Sequence, residues 1–418
     1  MFNAFSTALS ALKANSTAID VVGNNLANLN TTAFKASNVM FYDMVTEAIG
    51  SVNQQSGLGT APPQINPVYS QGAIQSSNGN LDAAIQGDGF FVTRDDNGAQ
   101  LFTRNGSFKV NSDGNVLTGD GQHVQGWGAI TGTPDTNGPA GDIVLPGSAL
   151  RQPFATTKYK IEMNLDASAA DGTPFSTPME VWDSLGNKHV LTATFTKNGA
   201  NTWDYNVDMK GEELTAGTAG TPSSLASGSF GFDSTGKLVL PAPPPTGAEN
   251  IPLDITGLAD GAADLTVNWN IFDGSGQSFI SQFAQASATS SNSQDGSPAA
   301  QLTKFVMNND GKITAEYSNS QSRVVAQLAV AGIRNPDTLI SVGYGALRAS
   351  ALTSLPSVGV AGTGNRGAVV GGALESSTVD IAREFTNLIV LQRSYEANAK
   401  IITTADQLSQ ATINLKQG

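Results

Sequence analysis

Two stretches of the chain space their large apolar residues by threes and fours. At the N-terminal end Phe2, Phe5, Leu9, Leu12, Ile19 and Leu26 keep this spacing, with Ser16 and Gly23 at the seam positions between them. At the C-terminal end Ile381, Phe385, Leu388, Leu391, Tyr395, Ala399, Ile402, Ala405, Leu408 and Leu415 do the same, with Thr412 as the polar exception. Side chains three and four apart share one face of an α-helix, so each stretch predicts a long amphipathic helix with a coiled-coil-like seam. The expected spans are 2–28 and 379–415, or about 40 and about 55 Å at the usual helical rise. Ser376, Ser377 and Asp380 are cap candidates for the second helix, and Arg393, Glu396 and Lys400 are spaced for pairing on its outer face.

Between these ends the pattern changes to short alternating runs broken by turn dipeptides. Asn97-Gly98, Asn105-Gly106, Asp113-Gly114, Asp120-Gly121 and Asp310-Gly311 separate apolar-polar strands in the manner of hairpin turns. The run "PMEVWDSLGNKHVLTATFTKNGANTWDYNVDMK" (178–210) predicts three strands, and "FGFDSTGKLVL" (230–240) a further hairpin. The segments "SVNQQSGLGTAPPQINPVY" (51–69) and "SLPSVGVAGTGNRGAVVGG" (354–372) are rich in Gly, Pro and Ser and read as extended linkers. Helices tethered in this way are expected to pack on each other and on neighbouring subunits rather than on a globular domain.

The expected fold class is therefore α+β and multidomain. Long N- and C-terminal helices form a coiled-coil-like inner domain (1–30 and 375–418), joined by linkers (31–69 and 366–374) to β domains. An inner β domain (70–148 and 299–365) carries an outer β domain (149–298) as a nested insertion; the low-complexity stretch "SQFAQASATSSNSQDGSPAAQ" marks the second boundary.

Composition narrows the function. Only 14% of the 418 residues are charged, where roughly a quarter is usual, while 39% are hydrophobic. A net charge of −13 opposes nucleic-acid binding, which needs clustered Lys and Arg. No basic amphipathic helix or long apolar span suggests membrane insertion. There is no cysteine, hence no disulfide framework or thiolate metal site, and histidine occurs only at His123 and His189. No cationic segment precedes an apolar core at the N-terminus, which fits a soluble protein or one exported unfolded without a cleaved signal.

Candidate chemistry is thin. "DDNGAQ", "NSDGNV" and "NNDGKI" lack the six-position carboxylate spacing and closing Glu of a calcium loop and read as turns. "GVAGTGNRG" (359–367) has no strand-then-helix context for a dinucleotide site. His189 in a predicted strand, with Asp183 and Ser184 nearby, is read as structural rather than as part of a Ser/His/Asp site. No catalytic residue, cofactor or metal is expected. The residues alone describe a filamentous or interaction protein, with an enzyme as the second reading.

Four stretches carry a family resemblance. "NNLANLNTTAFK" (24–35) resembles the signature near the N-terminus of flagellar rod, hook and hook-associated proteins, with Ala27, Asn28, Asn30, Thr31, Phe34 and Lys35 matching. Ala33 stands where that signature has glycine, and its Cβ opposes the positive φ that glycine would permit. "GDGFF" (87–91) and "FTRNGSF" (102–108) resemble motifs of the axial β domain, and "ANAKIITTADQL" (397–408) the C-terminal signature. The chain is thus similar to the axial proteins of the bacterial flagellum. "VWDSLGNKHVLTATF" (181–195), together with chain length, places the resemblance in the hook family rather than with distal rod or hook-associated junction proteins. A secreted β-rich enzyme or adhesin is the more distant alternative.

The resemblance implies a subunit of a flexible curved tube, a universal joint that transmits torque from rod to filament. It implies export through the flagellar type III apparatus, addition beneath a hook cap protein, and contact with rod proteins and hook–filament junction proteins at the tube's ends. It places the product outside the cell, in the flagellum. Assembly contacts are expected from Phe2, Phe5, Leu9, Leu12, Ile19, Leu26, Asn28, Asn30, Thr31, Phe34 and Lys35, and from Phe385, Leu388, Tyr395, Ile402 and Leu408. The first helix is expected to end at "GNN", Asn24 and Asn25 satisfying its last carbonyls, and Phe34 to anchor the descending segment against a neighbour.

Overall fold

The computed structural model describes residues 2–44, 47–48, 55–56, 58–129, 132–147, 150–243 and 250–416. The side chains of Phe2 and Leu415, and most of the expected linker at 51–57, lie outside the described residues. The chain divides into two compact units, one comprising Met1–Gly147, Thr303–Glu316 and Gln321–Gly418, the other Ser148–Leu302 with Tyr317–Ser320.

In the first unit α1 (Phe2–Ala27) packs against α2 (Ile381–Lys416). Ala18, Val21 and Val22 of α1 share one groove with Glu384, Asn387 and Leu391 of α2, so the end of one helix meets the start of the other and the two run antiparallel. Asp380 caps α2: its Oδ1 accepts the N–H of Arg383 at 3.0 Å, which leaves one fewer open donor in the first turn. On the outer face Arg393 pairs with Glu396 at 3.4 Å.

The face that α1 buries is not the predicted seam. Ala8, Ala14, Asn15, Ala18, Val21 and Val22 are buried, while Phe5 remains 44% exposed and Leu9 40%. Leu12, Ile19 and Leu26 are half-buried at the margin. Likewise in α2, Glu384 is buried and Leu388, Leu391 and Ile402 half-buried, whereas Ile381, Phe385, Tyr395 and Leu408 are exposed. Within one chain Ala18, Val21 and Val22 line the groove shared with α2. The bulky stripe is left for something else.

Strands of the first unit join early and late parts of the chain. His123–Gly128 pairs antiparallel with Phe90–Arg94 on one side and with Ser322–Leu328 on the other. Phe90–Arg94 also pairs with Gln100–Thr103 across the Asn97-Gly98 turn, where Gly98 takes φ +83°. Gln100–Thr103 in turn pairs with Ala346–Arg348. Phe90, Val92, Phe102, Trp127, Ala329, Ala331 and Leu339 form a core here. Asn105-Gly106 is not a hairpin turn. A Cβ on Gly106 would lie 1.7 Å from the carbonyl oxygen of Ala83, so glycine serves a close backbone approach at that position. The expected linkers also carry strands: Ser37–Met40 pairs with Gln64–Pro67, Ala368–Gly371 with Ala83–Gln86, and Ala373–Glu375 with Ile74–Ser76. Backbone donors and acceptors seek partners whatever the side-chain composition, and these segments find theirs on distant parts of the chain.

The second unit holds two sheets. One is an antiparallel meander of Pro174–Trp182, Lys188–Lys197, Thr202–Lys210, Pro222–Phe232 and Leu238–Leu240. In the other, Lys158–Asp166 pairs parallel with Leu265–Asn270 and Ile280–Phe283 and antiparallel with Ala288–Gln294; Asn250–Ile255 completes it. Alternate residues of both sheets, among them Met179, Val181, Leu191, Phe195, Trp203, Val207, Ile161 and Trp269, interleave in one core. No helix among the described residues is long and apolar enough to cross a membrane.

Candidate functional site

The signature stretch 24–35 lies where both helices join the strands of the first unit. α1 runs past "GNN" to Ala27. Asn28 then closes it, donating from its backbone N–H (3.2 Å) and its side-chain amide (3.0 Å) to the carbonyl of Asn24. Thr31 holds Asn28 in turn, its hydroxyl donating to Oδ1 at 3.0 Å. Asn25 does not cap the helix. It is buried and grips the descending chain with two bonds, Nδ2 to the Ser37 carbonyl (2.9 Å) and the Ser37 N–H to Oδ1 (3.0 Å). A side-chain amide there imitates a paired strand and folds residues 37–40 back beside the helix.

Ala33 makes the turn that its Cβ opposes. Its φ is +58°, and its N–H donates to the Glu375 carbonyl at 2.8 Å. One residue on, the carbonyl of Phe34 accepts the Thr378 N–H at 3.1 Å, and the Ala36 N–H donates to Thr378 Oγ1 at 2.9 Å. The exit of α1 and the entry to α2 are thereby laced together just ahead of Asp380.

A buried ion group sits beneath this lacing. Lys35 Nζ lies 2.5 Å from Glu375 Oε1 and donates to the Ser70 carbonyl at 2.7 Å. The Gly72 N–H donates to the same Oε1 at 2.7 Å, and Arg104 Nη1 approaches Oε2 at 3.6 Å. The Glu375 side chain is fully enclosed and those of Lys35 and Arg104 nearly so. Burial pulls the Lys35 ammonium and the Arg104 guanidinium below their usual pKa values, and the Glu375 carboxylate pushes the other way in both cases. Arg104 also lies over the Phe90 ring, 5.3 Å from its centroid. Residues from three distant stretches thus share one carboxylate.

These contacts divide the expected assembly residues. Lys35 is engaged inside the chain, where its ammonium balances the enclosed Glu375 carboxylate. Asn28 likewise serves α1's end. Asn30 and Thr31 are exposed and Phe34 is half-buried. Asn28, Thr31 and Phe34 line a groove of about 710 Å³ with Tyr69, Tyr344 and Leu347. Phe5, Leu9, Phe385, Tyr395 and Leu408 form no part of the junction and present their side chains outward. Ser184 accepts the Ala263 N–H on its hydroxyl, 3.0 Å away, and is not among the hydrogen-bond partners of His189, so no Ser/His/Asp relay is formed. Sequence reasoning missed Arg104, Glu375 and Thr378, and gave Asn25 a different role. Glu375 did leave a signal, as a lone carboxylate closing the apolar run "AVVGGALE".

Comparison with known proteins bears on the same stretches. Residues 5–35 match the flagella basal body rod protein family, and residues 370–415 the flagellar basal body rod FlgEFG protein C-terminal family. Residues 84–164 match the flagellar hook protein FlgE/F/G D1 domain and 150–297 the flagellar basal body protein FlaE D2 domain. The flagellar hook protein FlgE of Escherichia coli (strain K12) is 32% identical over 99% of this chain and 100% of its own length. That of Treponema pallidum (strain Nichols) is 32% identical over the whole of both chains. The crystal structure of Helicobacter pylori flagellar hook protein FlgE2 shares the fold, with a TM-score of 0.50 at 15% identity over 66% of this chain and 93% of that one. With identity above 30% over the full length of these relatives, and rod and hook family matches at both ends and across the β units, the chain belongs to the flagellar hook protein FlgE family.

Proposed function

We propose that the chain is a structural subunit that polymerises into the flexible, curved tube of the flagellar hook and transmits torque from rod to filament. The observation that carries this reading is the bulky apolar stripe left outside the helix pair. Phe5, Leu9, Ile381, Phe385, Ile389, Val390, Tyr395 and Leu408 are all exposed on α1 and α2, although both helices already have a partner. Burying one such side chain on assembly contributes about 1.5–3 kcal/mol, and repetition along a tube would stabilise a continuous inner wall. In this reading the coiled-coil-like seam forms between copies, and the partition into an inner β domain (70–148 and 299–365) carrying an outer one (149–298) follows the chain's two crossings. The polar outer strands, such as Ala288–Gln294 with its run of exposed Ser, Asn and Gln, suit copies that shift past one another as the tube bends. Export through the type III apparatus, growth beneath a cap protein and contacts with rod and junction proteins belong to the same proposal.

Phe385→Asp tests it cleanly, because Phe385 is 51% exposed and its loss leaves the helix pair intact. The variant is expected to be exported and folded by circular dichroism, yet to remain monomeric in the medium, with hookless cells under the electron microscope. Hooks of normal length from Phe385→Asp cells would remove the stripe from the assembly contacts.

A further inference from the structure

In the second unit three segments meet around His189, which is 6% exposed: the turn 183–187, the 3-10 turn Gly211–Glu213 and the loop following Asn250–Ile255. His189 Nδ1 lies 2.7 Å from Glu213 Oε2 and is the donor there, while Nε2 donates to Asp183 and offers a lone pair to a metal once that proton leaves. That nitrogen, Nε2, lies 3.2 Å from Asp183 Oδ2 and 3.6 Å from Asp260 Oδ2. Both carboxylates are held by their opposite oxygens. Asp183 Oδ1 accepts the N–H groups of Leu185 and Asn187, each at 2.8 Å, and Asp260 Oδ1 accepts that of Ala262 at 3.0 Å. The Asn187 amide spans the two inward oxygens, 2.9 Å from Asp260 and 3.4 Å from Asp183.

Three electron-pair donors therefore converge, fixed from behind by backbone and amide groups. The ligand atoms of Asp183, His189 and Asp260 all lie within 4.8 Å of one another. Separations of 3.2 and 3.6 Å bracket the edge of a tetrahedron drawn with metal bonds of about 2.0–2.1 Å. A carboxylate behind the distal nitrogen of a ligating imidazole, the position of Glu213, is the usual outer partner of such a site.

We propose that Asp183, His189 and Asp260 bind one divalent cation of the zinc type, with Glu213 setting the imidazole tautomer. The mixed nitrogen and oxygen donors favour zinc over calcium or magnesium, which prefer oxygen alone. The ion closes three loops of the second unit into one rigid end. A proton competes with it. The Nε2 proton that Asp183 accepts must leave before the metal can take its place. Zinc uptake therefore releases a proton and weakens in acid.

The test is calorimetric titration of the untagged full-length monomer, stripped with chelator, with zinc chloride at pH 7.5 and 5.5, alongside thermal melts. The expected result is one equivalent bound at pH 7.5 with a raised Tm, and affinity at least tenfold weaker at pH 5.5. His189→Gln and Asp260→Asn should each lose binding by 100-fold or more, while Glu213→Gln weakens it by about 10–100-fold. Asp260 lies on an exposed loop, so its variant keeps the fold, as an unchanged circular dichroism spectrum checks. Lack of saturable zinc binding by the native chain overturns the proposal, and so does an equivalent that survives in both His189→Gln and Asp260→Asn. None of these readouts involves polymerisation, so failure here is distinct from failure of the assembly reading.

Discussion

Ala33 sits at φ +58° with its N–H committed to Glu375, in a conformation that costs an L-residue with a Cβ about 1–2 kcal/mol. The hydrogen bonds from Thr378 to Phe34 and from Ala36 to Thr378 hold the turn against that cost. Glycine would relieve the Cβ while enlarging the freedom of the unfolded chain, a term of about 0.5–1 kcal/mol in the opposite sense. Ala33→Gly should therefore be slightly more stable, by about 0.5 kcal/mol, seen as a small rise of Tm in differential scanning calorimetry. A lower Tm would mean that alanine is accommodated there without strain. Lys35 illustrates the opposite balance. Its ammonium gains little net stability from a buried pair, yet removing it would leave Glu375 enclosed and without its nearest cation.

The two helices each carry two apolar faces, and the size of the side chains sorts them. Small residues, Ala8, Ala14 and Ala18 among them, are buried, Ala18 in the groove shared with α2, whereas Phe5, Leu9, Phe385 and Tyr395 are exposed. Ala18→Leu should overpack the α1–α2 contact and cost about 1–3 kcal/mol of unfolding free energy in denaturant titrations of the monomer. Leu9→Gln, at an exposed position, should leave the same titration within about 0.5 kcal/mol of the parent. Equal effects from the two substitutions would show that the alanine face is not the packed one. Periodicity located both helices to within three residues at every end that it predicted, because a 3.6-residue repeat survives any choice of partner. It did not say which of these residues one chain encloses by itself: Leu12 and Leu388 are half-buried, while Phe5, Leu9 and Phe385 stay exposed.

At the scale of the whole molecule, the second unit carries a core of its own, with Trp203 and Trp269 fully buried and Phe195, Tyr205 and Phe230 ringed around Trp269. Its two chain crossings lie side by side, Arg151 pairing with Ala300. A fragment of residues 148–302 should therefore fold alone, with a cooperative thermal transition and buried-tryptophan emission; red-shifted emission without a transition would refute its autonomy. The sequence by itself determined whatever depends on near neighbours. Helical stripes, alternating strands and the turns at Asn97-Gly98, Asp113-Gly114, Asp120-Gly121 and Asp310-Gly311, whose glycines all take positive φ, are local properties. The signature at 24–35 likewise marked the junction before any contact was known. The tertiary structure alone decided what depends on residues hundreds of positions apart. It joined Lys35 to Glu375, set Arg104 beside them and gave the glycine-rich linkers their strand partners; over shorter separations it also brought Glu213 and Asp260 to His189. A side chain's local pattern fixes the direction in which it points, but not the group it will meet there, and that meeting decides both burial and charge.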